Sequence, residues 1–280
     1  MKNDGIINYN IRLIAFVDLL GFKNYVDKSA DGTREGYQLK NNIDKIMNLI
    51  DGIKIANDFN LTDRQKVELD NMFYKATHNF LPKIQLTFFS DCIVISTPIE
   101  LNDKCEINYV KFLDRIIQIA LQCTTYGFLL RGGITCGKLT HEEAIHNICY
   151  GPAMNRAYLI ENKKAVYPRI LIDAFAIKEL LRDKNHADII RKYLKADTID
   201  GEMFLDYLGC EVNYKNDKYL EKQVEDYKSF LMNVKNLIVK NIEIFKNNDN
   251  IYSKYLWYKN YYNDTIQKVM PEQQDEYLIK

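Results

Sequence analysis

The sequence predicts an α+β fold: a ferredoxin-like core of mostly antiparallel strands with helices packed on it, followed by a helical C-terminal extension. Three observations lead there. Strand, helix, helix, β-hairpin, helix, strand, helix, strand is the order expected of such a sandwich. Two apolar, strand-like runs each end in an aspartate, Phe16-Val17-Asp18 and Phe89-Ser90-Asp91. From about Leu220 the chain becomes Lys-rich with apolar residues at helical spacing.

Residues 11–17 are nearly all apolar and end in Asp18, which fits a central strand covered on both faces. Gly21 opens a turn into a helix. After the Asp31-Gly32 break, Leu39, Ile43, Ile46, Met47, Ile50 and Ile53 recur at helical spacing. Residues 61–80 are charged and read as a helix or a long connection. Residues 83–90 and 92–97 are β-branched and aromatic around Ser90-Asp91, a hairpin with its tip at Asp91. A helix follows at 107–126, then a strand at 128–135 broken by Gly132-Gly133. Gly151-Pro152 starts another helix, with Pro152 suited to its first turn. Residues 169–172 and 202–208 read as strands, and Tyr227, Phe230, Leu231, Val234, Ile238 and Ile242 form one helical stripe. The expected division is a catalytic domain over 1–175 and a mostly helical elaboration over 176–280 packed on it.

A chain of 280 residues buries a self-sufficient core. Lys plus Arg and Asp plus Glu both total 38, so no global field draws the chain to nucleic acid or anionic lipid. A small-molecule ligand is expected instead. The six cysteines are scattered without zinc-ligand spacing and read as reduced packing residues. No apolar stretch approaches the roughly 20 residues of a membrane span, and the polar N-terminus is unlike a signal peptide. The expectation is a cytoplasmic protein with no membrane partner. His78, His141, His146 and His186 show no spacing that demands a role, and His141 and His146 read as exposed loop residues.

Asp18 and Asp91 end neighbouring strands, so their carboxylates can meet. Hard oxygen ligands of this kind suit Mg2+ or Mn2+. After Asp18, Leu19-Leu20-Gly21-Phe22 leads into a helix whose first amides lack partners, a cradle for a triphosphate beside the metal. Arg131 opens Arg131-Gly132-Gly133-Ile134-Thr135-Cys136-Gly137 in an otherwise apolar strand. Its guanidinium needs a carboxylate or a phosphate, and the glycines favour close approach by a ligand or partner. Asn155 near a helix start is ordinarily a local hydrogen-bonding residue.

Phe-x-Asp-x-x-Gly-Phe at 16–22, Ser-Asp at 90–91, Arg-x-Gly-Ile-x-x-Gly at 131–137 and Gly-x-x-Met-Asn-x-Ala at 151–157 resemble, in order, the motifs of class III nucleotide cyclases. The resemblance spans about residues 10–175. It implies that Asp18 and Asp91 hold two Mn2+ or Mg2+ ions per site, with the Leu19 carbonyl as a further ligand. It implies that Gly21, Phe22 and Arg131 bind the triphosphate, and that Asn155 faces the ribose and α-phosphate from the other subunit of a homodimer.

The departures from that pattern are specific. Thr87 and Ile148 stand where the family's purine readers stand, and neither the adenine pair nor the guanine pair is present. Mismatched buried polar groups discriminate strongly. With Ala165-Val166-Tyr167-Pro168-Arg169-Ile170, the chain is similar to the bacterial pyrimidine cyclases of Pycsar antiphage defence. That likeness implies UTP as substrate, or CTP, and a separate effector protein that responds to the cyclic nucleotide. Leu159 occupies the place of the family's transition-state arginine, and Arg156 and Arg169 are the candidates to replace it. The alternative from another class is a catalytically silent nucleotide-binding module.

Overall fold

The computed structural model describes residues 9–57, 84–99, 109–142, 148–182, 184, 187–209 and 220–280. The segment expected as a helix or connection at 61–80 lies outside them, as do His78, His146 and His186.

Strand β1 (Asn10–Leu19) sends alternate side chains to two cores. Leu13, Ala15, Val17 and Leu19 enter the large core, whereas Ile14 and Phe16 enter a small one. A strand buried on both faces needs a continuous apolar run. Helices α1 (Phe22–Ser29) and α2 (Arg34–Asn57) follow. Strands β2 (Gln85–Phe89) and β3 (Cys92–Pro98) form the expected hairpin, turning at Ser90-Asp91 with Ser90 at φ 53°. Helix α3 (Tyr109–Thr125) buries Phe112, Ile116, Ile117 and Ala120.

Strand β4 (Leu130–Glu142) runs unbroken through Gly132 and Gly133, further than the sequence reading placed it. Its end pairs with β5 (Ile148–Tyr150). Helix α4 (Pro152–Leu159) crosses β4 and continues into a π-helical turn, Ile160–Lys164. A Cβ on Gly133 would sit 2.6 Å from the Ala157 carbonyl oxygen and from Ile160 Cβ, and one on Gly132 would sit 2.6 Å from the Phe16 carbonyl oxygen. The close approach these glycines permit is made by the chain's own helix and strand.

Strand β6 (Ile170–Ile172) pairs parallel with β4. Helices α5 (Ala174–Leu180) and α6 (Ala187–Lys192) precede β7 (Leu194–Ala196) and β8 (Met203–Leu205). The sheet order is β2-β3-β1-β4-β6-β8-β7. The first four strands are antiparallel in the ferredoxin-like arrangement. The rest extend the same sheet, so β7 and β8 join it from within the mostly helical C-terminal part.

Helices α7 (Leu220–Ile244), α8 (Asp249–Val269) and α9 (Gln274–Tyr277) complete the fold. Tyr227, Leu231, Val234 and Ile238 are buried along α7, as the stripe predicts. Tyrosine hydroxyls dock the pair on the turn after β8. Tyr227 donates to the Leu208 carbonyl at 2.6 Å, and Tyr261 donates to Asp206 at 2.9 Å while accepting from the Leu208 amide at 2.9 Å. Buried tyrosines need such partners for their hydroxyls.

Candidate active site

Asp18 stands opposite both Cys92 of β3 and Arg131 of β4. Period-two alternation therefore puts Asp18, Cys92 and Arg131 on one face, at the end of the sheet where the hairpin turns. The Leu19 amide donates to the Asp91 carbonyl at 2.9 Å, which ties the end of β1 to the hairpin tip. Asp18, Asp91 and Cys92 each offer one ligand atom, all within 4.8 Å of one another.

Burial pushes the Asp18 carboxyl up from its ordinary range and the charge of Asp91 adds to this, while Arg131 opposes it. Two carboxylates held together in a partly desolvated place are stabilised by a cation. The pair fits a hard divalent ion such as Mg2+ or Mn2+. Cys92 fits less well. Its thiol is pushed up to about 12, first by burial and then by the two aspartates, so it stays protonated and is a poor ligand.

Arg131 Nε lies 3.0 Å from Asp18 Oδ2 and 2.7 Å from Glu161 Oε1. The second contact is an ion pair without hydrogen-bond alignment. Both contacts use Nε. The two terminal Nη groups have no partner among the described residues, so the fork that matches phosphate oxygens is free. Glu161 is nearly buried, and desolvation raises its carboxyl while Arg131 opposes the rise. The sequence reading missed it, because Ile-Glu-Asn-Lys-Lys looks like a solvated helix end. The π-helical turn is what turns Glu161 inward, a feature common at functional sites.

Gly21 adopts a left-handed conformation, φ 75°, and caps α1, which favours glycine. Its carbonyl accepts from the Asn24 amide at 2.9 Å, leaving the first amides of the helix without intrahelical partners. The Phe22 ring is buried and 6.2 Å from the Phe128 ring, so only its backbone can serve a ligand. The Leu19 side chain is likewise in the core.

Thr87 and Asn155 stand apart from this cluster. Thr87 is buried, and its hydroxyl shares a 2.9 Å hydrogen bond with His141 Nε2, while His141 Nδ1 meets Ser96 Oγ at 2.8 Å. Thr87 is therefore not open to a ligand. His141, expected in an exposed loop, is interior because β4 extends far enough to carry it there. Asn155 lies on the exposed face of α4, and among the described residues no contact links it to Asp18, Asp91 or Arg131. Leu159, one turn on, is 46% exposed.

Neither arginine named as a substitute for the missing cation is available. The Arg156 guanidinium lies 4.3 Å from the Phe175 ring and donates to the Cys136 carbonyl at 3.3 Å. Arg169 is buried, paired with Asp197 and Asp200, and lies against the Tyr167 and Trp257 rings. The four described cysteines are free thiols, and no helix among the described residues is long and apolar enough to cross a membrane.

One similar solved structure is an adenylyl cyclase. It is CyaB from P. aeruginosa, 14% identical, matched over 70% of this chain and 92% of that one with a TM-score of 0.39. No protein-family model matches the chain, and no curated protein does either.

Proposed function

We propose that the chain is a pyrimidine nucleotide cyclase that converts UTP to 3′,5′-cyclic UMP and pyrophosphate, as a messenger read by a separate effector protein in antiphage defence of the Pycsar type. The observation that carries this reading is the Asp18–Asp91 carboxylate pair beside an arginine whose Nη groups have no partner among the described residues. The ordered motifs quoted above give that geometry its chemical meaning.

In this reading the ribose 3′-hydroxyl oxygen bonds to the α-phosphorus, and the bond from that phosphorus to the bridging oxygen breaks. The electron pair leaves with pyrophosphate. Divalent cations bound at the site supply charge neutralisation and acidify the hydroxyl. Asp18 and Asp91 would hold them, and Asp18, beside the hydroxyl, would receive its proton transiently before solvent takes it. Arg131 binds the triphosphate through its Nη groups, and the amides after Gly21 face its oxygens. Positioned charges of this kind carry most of the rate in phosphoryl transfer.

Asn155 is exposed beside Tyr158 and Leu159 and makes no contact with its own chain's carboxylates among the described residues, which supports a homodimer in which it serves the partner's site. Residues 1–175 carry the catalytic residues named here, and 176–280 elaborate them. Neither Thr87, bonded to His141, nor apolar Ile148 offers a purine a matched set of donors and acceptors. CTP as substrate is the second form of the same reading.

Incubation of the full chain with ATP, GTP, CTP and UTP in Mn2+, followed by product identification, tests it. Cyclic UMP with pyrophosphate is the expected result and cyclic CMP selects the second form. A purine product overturns the base assignment. Absence of any product leaves a silent nucleotide-binding module, the reading favoured by Leu159 in place of a cation.

A further inference from the structure

The proposed cyclase site receives no cation at the positions named for one, because Leu159 is apolar and Arg156 and Arg169 are engaged elsewhere. The C-terminal helix α8 offers one. Ile251 packs against the large core, and Trp257 and Tyr258 are buried. Residues three and four apart share a helix face, so Lys254 stands in the middle of the core-facing stripe of α8. It is half-buried and makes no ion pair among the described residues. A lysine in such a stripe costs stability unless something compensates its charge.

Its surroundings locate it. The Trp257 ring stacks on Tyr167 at 5.6 Å and lies 5.7 Å from the Arg169 guanidinium. Trp257 and the Arg169 guanidinium share Asp197 in the β7–β8 turn, and Lys195 of β7 lies 5.1 Å from the Tyr261 ring. Toward its start, α8 therefore runs from the β7 edge to Tyr167, which follows the π-helical turn that holds Glu161 against Arg131. One turn toward the start of α8, Lys254 is carried toward the Asp18–Arg131 end of the sheet. Burial and the neighbouring charge of Arg131 hold its ammonium below its ordinary pKa, while Asp18 opposes this. Asp18 and Glu161 already face Arg131, whereas Lys254 has no ion-pair partner among the described residues; a polyanion brought in with divalent cations on Asp18 and Asp91 would give it one.

We propose that Lys254 is a triphosphate-binding residue, by which the C-terminal helix pair completes the phosphate site that Arg131 and the turn after Asp18 begin. This rests on the cyclase reading for its substrate class and goes beyond it in assigning the extension a part in the site. A flexible lysine stem can follow phosphate oxygens as a point charge where a bidentate fork is not required.

The test titrates the full-length parent, Lys254→Met and Lys254→Arg with inorganic triphosphate in Mg2+, by calorimetry. Affinity falls about tenfold or more in Lys254→Met and stays within about threefold in Lys254→Arg, with thermal midpoints matching the parent. Unchanged affinity in Lys254→Met overturns the assignment. If that variant fails to fold, Lys254→Gln carries the same comparison. A parent that binds triphosphate but forms no cyclic nucleotide removes the cyclase reading and leaves Lys254 to the affinity comparison. A parent that does not bind triphosphate overturns the Lys254 assignment, while product formation from the four nucleoside triphosphates decides the cyclase reading separately.

Discussion

Arg131 Nε lies 2.7 Å from Glu161 Oε1, inside a nearly buried contact that no sequence motif marks. Glu161 is a positioning residue for Arg131, and its ionised form is disfavoured by burial. Glu161→Gln keeps the shape and removes the charge. The expected outcome is a KM for the nucleoside triphosphate about tenfold higher, from a less constrained guanidinium, with a thermal midpoint no lower than the parent's. A variant with unchanged KM and a lowered midpoint would make Glu161 purely structural.

Asp18 and Asp91 differ from Glu161 in what they are asked to hold. Asp18→Asn and Asp91→Asn each remove one charge from the pair without altering its packing. Each is expected to lower product formation by at least about a hundredfold, the usual scale for one lost transition-state charge. Each also loses the rise in thermal midpoint that Mn2+ gives the parent, since binding to the native state alone is what stabilises. Near-parental turnover in either variant would sink the metal assignment.

Gly133 leaves room for α4. A Cβ there would meet the Ala157 carbonyl and Ile160 at 2.6 Å. Gly133→Ala pushes away the helix that carries Asn155 and leads to Glu161, at a cost of about 1–3 kcal/mol for overpacking. Urea denaturation reads the cost. Activity measured on the remaining folded protein falls further than the stability change explains.

The elements that frame the site were legible because their patterns are local. A continuous apolar run ending in Asp18 has few readings other than a strand buried on both faces, and Ser90-Asp91 between β-branched runs is a hairpin tip. The π-helical turn was not legible, since its extra residue per turn shows only in backbone geometry. Nor was the burial of His141, which depends on β4 pairing for three residues with β5. Tyr227 and Tyr261 bond the C-terminal helices to the turn after β8, a long-range fit that periodicity cannot encode.

Arg169 is structural in this fold. Its guanidinium is buried against Asp197, Asp200, Tyr167 and Trp257, and Trp257 Nε1 donates to the same Asp197 at 2.7 Å. Arg169→Met leaves Asp197 without its guanidinium partner, and breaking a buried pair costs about 3–5 kcal/mol. The expected result is a large loss of folded protein, with product per folded molecule close to the parent's. A stable but inactive Arg169→Met would return this arginine to the catalytic candidates.

His141 should make the fold sensitive to acid. Burial, with a smaller contribution from Arg12, lowers its pKa from 6.5 to about 3, and its two ring nitrogens face the Thr87 and Ser96 hydroxyls. Between those two values the unfolded chain binds a proton that the native state does not. Stability therefore rises with pH across the window and is lost as pH falls below about 6.5. The slope for one group is at most about 1.4 kcal/mol per pH unit, so the loss between pH 7 and pH 5 is about 2 kcal/mol. His141→Gln removes the titrating group while retaining a donor and an acceptor. Urea midpoints at the two pH values should show the parent losing about that much more stability than the variant does. Equal losses in the two proteins would mean that His141 is charged, or reaches solvent, in the native state.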